Sequence, residues 1–279
     1  MGLLDLFRRR PGVAAKSSAV PRVRRYEAAR PSNIAAGFTA LGGMRSAYDD
    51  MRWDLRGLIA HSRQQAQNND YMKAFLSLVN RNVVGPNGIR LQNEARGENG
   101  SLDKAANTLI EEAWARWGKF GTPNIERNLS WKAMQSIVVQ TVARDGAVLV
   151  RQYKGRDFGL FSYQQQLLEI DFLDVEMNRD SGTGNAVRMG IEFDAVGRTV
   201  AYHIFSRHPG DSLNGRARER IRLPADQAFL VFRPERPGQL LGVPWAYTAL
   251  RRLNMLRGYE EASITAARVG ASKMGFIQS

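Results

Sequence analysis

Apolar residues in the first half of the chain recur at three- and four-residue spacings, whereas beyond residues 145 to 165 they alternate or run in short blocks of strand length. This change of period predicts a helical and mixed front half followed by a strand-rich region, an α+β fold. In the front half, Tyr71, Phe75, Leu78, Val79 and Val83 predict the buried stripe of a helix capped by Asp70 and stopped at Gly85-Pro86. Trp53, Leu55, Leu58 and Ile59 mark its helical partner. After the turn Gly85-Pro86-Asn87-Gly88, a short strand is expected at Ile89 to Gln92. A helix then starts from a Ser101 cap, with Leu102, Ala106, Leu109, Ala113 and Trp117 along one stripe. Trp114 and Trp117 lie on or beside that stripe and read as packing residues, not as a stacking platform for bases. Ser130 caps a further helix that buries Met134, Ile137, Val138, Thr141 and Val142. Asp145-Gly146 ends it before a strand from Ala147 to Tyr153.

Further strands are expected at Leu167 to Val175, Val187 to Phe193, Thr199 to Phe205, Arg216 to Leu223 and Ala228 to Phe232. Behind the last of these, Pro234, Pro237 and Pro244 with Gly238 and Gly242 forbid a regular helix or a central strand. The segment must be a shaped elbow, and Arg233, Glu235 and Arg236 place charge on its stiff backbone. Pro244 is expected to open a long helix in which Leu250, Leu253 and Leu256 lie near one stripe and Arg251, Arg252 and Arg257 project elsewhere. Four regions result: a basic extended arm over 1–45, a mixed α/β region over 46–165, a strand-rich region over 166–232, and the elbow with its helix over 233–279.

Charge changes this picture more than size does. The 279 residues carry 40 Lys and Arg against 27 Asp and Glu, a net +13 that favours a polyanionic partner, either nucleic acid or an acidic membrane surface. No window reaches the roughly 18 apolar residues of a membrane-spanning helix. The opening Met1 to Gly12 places its arginines after a short apolar run, the reverse of a signal peptide. The absence of cysteine removes disulfides, thiolate catalysis and Cys-ligated zinc together.

Candidate chemistry is sparse. Glu169, Asp171, Asp174 and Glu176 form the densest acidic cluster, either a solvated edge with subunit salt bridges or the magnesium ligands of a nuclease. On a strand, 169 and 171 share one face while 174 and 176 take the other. His203 and His208 have no third ligand at zinc-type spacing, and His61 stands alone. Neither a nucleophile elbow nor a phosphate-binding loop is present, so no catalytic residue, metal site or cofactor is expected. Arg216, Arg218, Arg220 and Arg222 alternate, which puts four guanidiniums on one face of an extended chain. They either protect a strand edge or present a positive surface to phosphate or an acidic partner.

Several segments, in order and spacing, resemble the lambda-like family of tailed-phage portal proteins. They include Arg81 to Ile89, Ala143-Arg144-Asp145-Gly146 before a strand, Leu168 to Asp171, Gly190 to Asp194, Gly197 to Tyr202 and Arg222 to Ala225. The most specific is Arg236-Pro237-Gly238-Gln239 followed by Gly242-Val243-Pro244. The resemblance implies a portal-like arrangement: a wing over 46–165, a clip over 166–232 and a stem helix within 233–279. It implies a non-catalytic, dodecameric ring at one capsid vertex, made in the bacterial cytoplasm and built into the virion. Double-stranded DNA would pass through it, irrespective of sequence, during packaging and ejection. Its partners would be further copies of itself, the terminase large subunit, head-completion or adaptor proteins, and the major capsid or scaffold protein. The DNA- or subunit-contacting candidates are then Arg216, Arg218, Arg220, Arg222, Arg233, Arg236, Arg251, Arg252 and Arg257. Chains of this family continue past the helix near Pro244, so this chain is expected to be an amino-terminal portion, as a fragment, a prophage remnant or half of a split gene. Two alternatives remain at this level: a magnesium-dependent DNA-processing nuclease, and a basic scaffold that binds nucleic acid or membrane without forming rings.

Overall fold

The computed structural model describes residues 45–180, 182, 184–211 and 219–272. The expected arm, apart from Arg45, lies outside them, as do Arg216 and Arg218. Within them the class is α+β: six helices and two antiparallel sheets.

Helices α1 (Ala47–Met51) and α2 (Leu55–Asn68) insert Tyr48, Met51, Leu55, Leu58 and Ile59 into the main core. Trp53 lies in the turn between them, where the helical phase breaks. It is about half exposed, with the Arg52 guanidinium 4.4 Å above its ring. Helix α3 (Asp70–Val83) is capped one residue earlier than the sequence suggests, because the Asn69 side chain accepts from the amides of Tyr71 and Met72. Its buried stripe is Met72 and Leu76, flanked by Phe75 and Val79, packed where Ala143 leaves room for close approach. Tyr71, Leu78 and Val83, expected inside, face solvent.

The segment after the Gly85 turn is not a strand. Both backbone groups of Ile89 are taken by the Gln135 side-chain amide, at 2.8 and 2.9 Å, so no ladder forms. Helix α4 (Lys104–Trp117) is capped by Asp103, whose carboxylate accepts from Ala106, while the Ser101 hydroxyl donates to Asn99. Only Trp117 of its expected stripe is buried; Leu102 and Leu109 are exposed. The tryptophans do pack: Trp114, Trp117 and Trp131 meet one another and Tyr163 with ring centroids 4.9 to 5.8 Å apart. Helix α5 (Trp131–Asp145) keeps its Ser130 cap and buries Met134, Thr141 and Val142, whereas Ile137 faces outward.

Strand β1 (Ala147–Lys154) is the centre of the first sheet, antiparallel to β2 (Tyr163–Glu169) on one side and to β7 (Ala228–Phe232) on the other. The strand expected to reach Val175 stops at Glu169, where a 3-10 turn at Ile170–Phe172 redirects the chain. In the second sheet, the run expected as one strand over 187 to 193 is a hairpin. Its strands are β3 (Ala186–Arg188) and β4 (Ile191–Phe193), joined by Met189 and Gly190 with φ of 50° and 75°, as a primed two-residue turn requires. Strands β5 (Thr199–Phe205) and β6 (Arg220–Pro224) complete it. The division expected between residues 165 and 166 falls inside β2, and β7 follows β6 in the chain yet pairs with β1. One hydrophobic cluster gathers residues of α1, α2, both sheets, Leu241, Val243 and Leu250.

Residues 233 to 249 form no strand or helix, as the prolines dictate. Pro244 does not open the next helix: turns occupy Trp245 to Ala249, and α6 (Leu250–Ser272) begins after them. Leu250 is buried and Leu253 packs on the α3 cluster, but every residue from Glu261 to Ser272 is exposed. The 23-residue helix is about 35 Å long, so much of it projects beyond the body. Among the described residues no helix is long and apolar enough to cross a membrane.

Candidate functional site

Two constellations hold the molecule together around the end of α5. The first is ionic. Asp145, the last residue of α5, is fully buried, and its carboxylate receives Arg63 from α2 at 2.9 Å and Arg144 at 2.7 Å. Arg63 also reaches Asp171 at 2.5 Å and Glu169 at 3.7 Å, and Arg144 reaches Glu169 at 3.5 Å. Burial by itself would lower the pKa of Arg63; its hydrogen bonds to Asp145 and Asp171 outweigh that and hold it above its ordinary value. Arg144 is raised chiefly by its hydrogen bond to Asp145. The cluster thus ties α2, α5, β2 and the 3-10 turn to one another.

His208, from the loop after β5, completes the group, with Nε2 3.3 Å from Glu169. Ligand atoms of Glu169, Asp171 and His208 lie within 4.8 Å of one another, a juxtaposition that sequence spacing did not reveal. The donor set does not suit a metal. The backbone amide of Gly210 donates to Nδ1 of His208 at 3.0 Å, so the neutral ring carries its proton on Nε2, the nitrogen a metal would need bare. The Arg63 guanidinium already sits against both carboxylates, 3.7 Å from Glu169 and 2.5 Å from Asp171. Asp174 and Glu176, the other half of the acidic run, are elsewhere, paired with Arg220 and Arg56. The four acids therefore do not converge on one point.

The second constellation is the elbow. Gly146, at φ 92°, caps α5 with its backbone against that of Gly242. A Cβ on Gly146 would sit 2.5 Å from the Gly242 carbonyl oxygen, and one on Gly242 would sit 2.1 Å from that of Gly146. Leu241, Val243 and Pro244 are buried beside this contact, and the Trp245 amide donates to the Ala143 carbonyl at 2.9 Å. The turn at Gly238 is closed by Gln239, whose side-chain oxygen accepts from the amides of Glu235 and Arg236. Pro234 and Pro237 stand on its exposed side.

The arginines singled out from sequence divide into groups. Arg220 and Arg222 turn to buried acids of their own subunit: Arg220 to Asp174 at 2.7 Å, Arg222 to Glu192 at 2.8 and 2.9 Å. Glu192 also receives Asn185 and His203, and its pKa is lowered to about 2, first by Arg222. Arg236 bonds Asp50 at 2.7 Å and the Arg45 carbonyl at 3.1 Å, and Arg233 stands 5.7 Å over Trp245. Arg257 pairs with Glu261 along α6, where Arg252 is exposed and Arg251 partly so. The structure brings Arg63, Asp145 and His208 into one cluster although none stood out as a site. Asp145 carried one signal: a carboxylate in the last turn of a helix opposes the macrodipole and so calls for a cation.

Arginines clamping acids across elements, a glycine-to-glycine backbone contact and a projecting helix define a scaffold that holds geometry. A family model described as "Phage portal protein, lambda family" matches residues 39–279, and the chain belongs to that family. The "Probable portal protein" of Halomonas phage phiHAP-1 is 30% identical over 288 aligned residues. That alignment covers 100% of this chain and 55% of the relative, so the chain spans about half the relative's length. Membership makes this a structural protein rather than an enzyme.

Proposed function

We propose that the chain is a subunit of a ring at one capsid vertex, through which double-stranded DNA is packaged and later ejected. The observation that carries this is α6, rooted at Leu250 and Leu253 but exposed at every residue from Glu261 to Ser272. A 23-residue helix with exposed Ile264 and Val269, and no covering surface along its outer half among the described residues, is built to be covered by something else. Family membership makes neighbouring subunits the fitting cover, with α6 as a stem beside a channel. The elbow would then fix the angle at which each stem leaves its subunit. On this reading a terminase large subunit and head-completion proteins dock on the ring, which sits in a shell of major capsid or scaffold protein. The subunit is made in the bacterial cytoplasm and ends in the virion. DNA passes by contacts to phosphate and not to bases.

The test is particle imaging with sedimentation, on the chain by itself and on the chain joined to the part of the Halomonas phage relative that the alignment leaves uncovered. Closed rings in either form are expected. Monomers in both, at concentrations where the fold is intact, would overturn the reading. The nuclease alternative loses its support with the dispersal of the four acids.

A further inference from the structure

The strap between α3 and α4 carries two reactive pairs. Asparagine precedes glycine at Asn87-Gly88 and at Asn99-Gly100; a third such pair, Asn214-Gly215, lies outside the described residues. Glycine has no Cβ, so its backbone nitrogen stands open to the side chain before it. Both asparagines in the strap are exposed, and both glycines take a positive φ, 74° at Gly88 and 75° at Gly100.

Their hydrogen bonds differ. The Gly100 amide donates to the Gly97 carbonyl at 2.9 Å, and the Asn99 side-chain oxygen accepts from the Ser101 amide at 3.2 Å and from its hydroxyl at 2.7 Å. Among the described residues, the Asn87 side chain makes no hydrogen bond, and the Gly88 amide makes none of ordinary length and angle. The turn is nevertheless seated on α5. A Cβ on Gly88 would stand 2.8 Å from the Gln135 side-chain oxygen and 3.3 Å from Cγ of Lys132. One residue on, the buried Gln135 amide holds both backbone groups of Ile89.

We propose that Asn87 is a site of spontaneous deamidation, and that its isoaspartyl product unseats Ile89 from Gln135. The Gly88 nitrogen gives its proton to hydroxide and bonds to Cγ of Asn87. The Cγ–Nδ2 bond breaks and ammonia leaves with a proton taken from water, which returns the hydroxide and closes a five-membered succinimide. Water then opens the ring. Cleavage between Cγ and the Gly88 nitrogen gives aspartate; cleavage between the main-chain carbonyl carbon and that nitrogen gives isoaspartate. The second product runs the main chain through Cβ and Cγ, so an extra carbon enters just before Gly88 and shifts Ile89 against its clamp.

The test holds the intact folded chain in mildly alkaline buffer and follows the Asn87 and Asn99 peptides by mass spectrometry, with isoaspartate read by enzymatic methyl transfer. Asn87 is expected to react about tenfold faster than Asn99, the factor set by opening one ordinary hydrogen bond at Gly100 before attack. In the urea-unfolded chain both pairs lose their surroundings, and the two rates should come together. Hydrogen exchange at the Ile89 amide should be faster in the isoaspartyl fraction than in the unreacted one. Asn87→Ser, which cannot form the ring, should keep Ile89 protected through the same incubation. Asn99 reacting as fast as Asn87 in the folded chain overturns the site, and so does an Asn87 that stays intact while the unfolded chain reacts. Equal Ile89 exchange in the two fractions overturns the release.

Discussion

Gly146 and Gly242 touch backbone to backbone, and at that point a single methyl group decides whether the elbow can dock. With carbonyl oxygens 2.5 and 2.1 Å from where each Cβ would lie, Gly146→Ala or Gly242→Ala must move the elbow off the end of α5. Each is expected to cost about 3 kcal/mol, through displaced packing and, at Gly146, the positive φ as well. Gly238→Ala is the control: its φ of 74° is equally positive but its surroundings are open, so about 1 kcal/mol is expected in urea unfolding. Glu192 supplies a pH prediction. Its pKa, ordinarily 4.5, is lowered to about 2 by Arg222, then by Asn185 and His203 against the opposing effect of burial. A depressed carboxylate stabilises the fold above its unfolded pKa, and that contribution disappears as pH falls from 4.5 toward 2. Glu192→Gln should therefore be less stable than the parent at pH 7, by about 2 kcal/mol since Arg222 is half exposed, and the gap should close over that acid window. A gap unchanged at pH 2 would mean that Arg222 is not held by the ionised form.

Element by element, the chain's periodicity was legible where local rules suffice. Ser130 as a cap, Asp145-Gly146 as a stop, β5, β7 and the irregular elbow follow from capping, turn and proline chemistry. What failed was the choice between two apolar faces. Helix α3 has one through Tyr71 and Leu78 and another through Met72 and Leu76, and the second is the better fit because Ala143, Trp245, Ala246 and Leu253, far along the chain, pack on it. The site was less legible still. Its acids were visible at 169 and 171, but the partners that neutralise them come from residues 63, 144 and 208, and no spacing rule links such distances. Pro244 shows the same limit: it could open a helix, but its burial beside Gly146 uses it as a wedge, and α6 starts later. For α6 itself, the exposure of every residue from Glu261 to Ser272 yields a clear expectation. Ile264→Asp or Val269→Asp should change the unfolding free energy of the monomer by no more than about 0.5 kcal/mol. Either change should still reduce assembly measured by sedimentation. A large loss of monomer stability would mean that α6 folds back on its own subunit.

On the scale of the whole molecule, the net charge of +13 overstates what is available to a polyanion. Arg63, Arg144, Arg220, Arg222 and Arg236 all bond acids of their own subunit, and their removal would expose buried or partly buried carboxylates. On the proposed ring reading, DNA contact falls to arginines elsewhere, among which Arg252 on α6 is exposed. Association with duplex DNA is expected to be indifferent to sequence and to weaken steeply with salt, at a logarithmic slope of about 0.9 for each phosphate neutralised. Two variants separate the roles. Arg222→Ala should lower the thermal midpoint and leave the salt slope as it was, because that guanidinium is committed to Glu192. Arg252→Ala should leave the midpoint alone and, where α6 lines the DNA path, reduce the slope by about one unit per bound subunit. Titration of two unrelated duplexes across a salt series, beside thermal unfolding, reads both quantities. If Arg222→Ala lowers the slope without touching the midpoint, the edge of the second sheet is a DNA surface after all, and the division between structural and contacting arginines has to be redrawn.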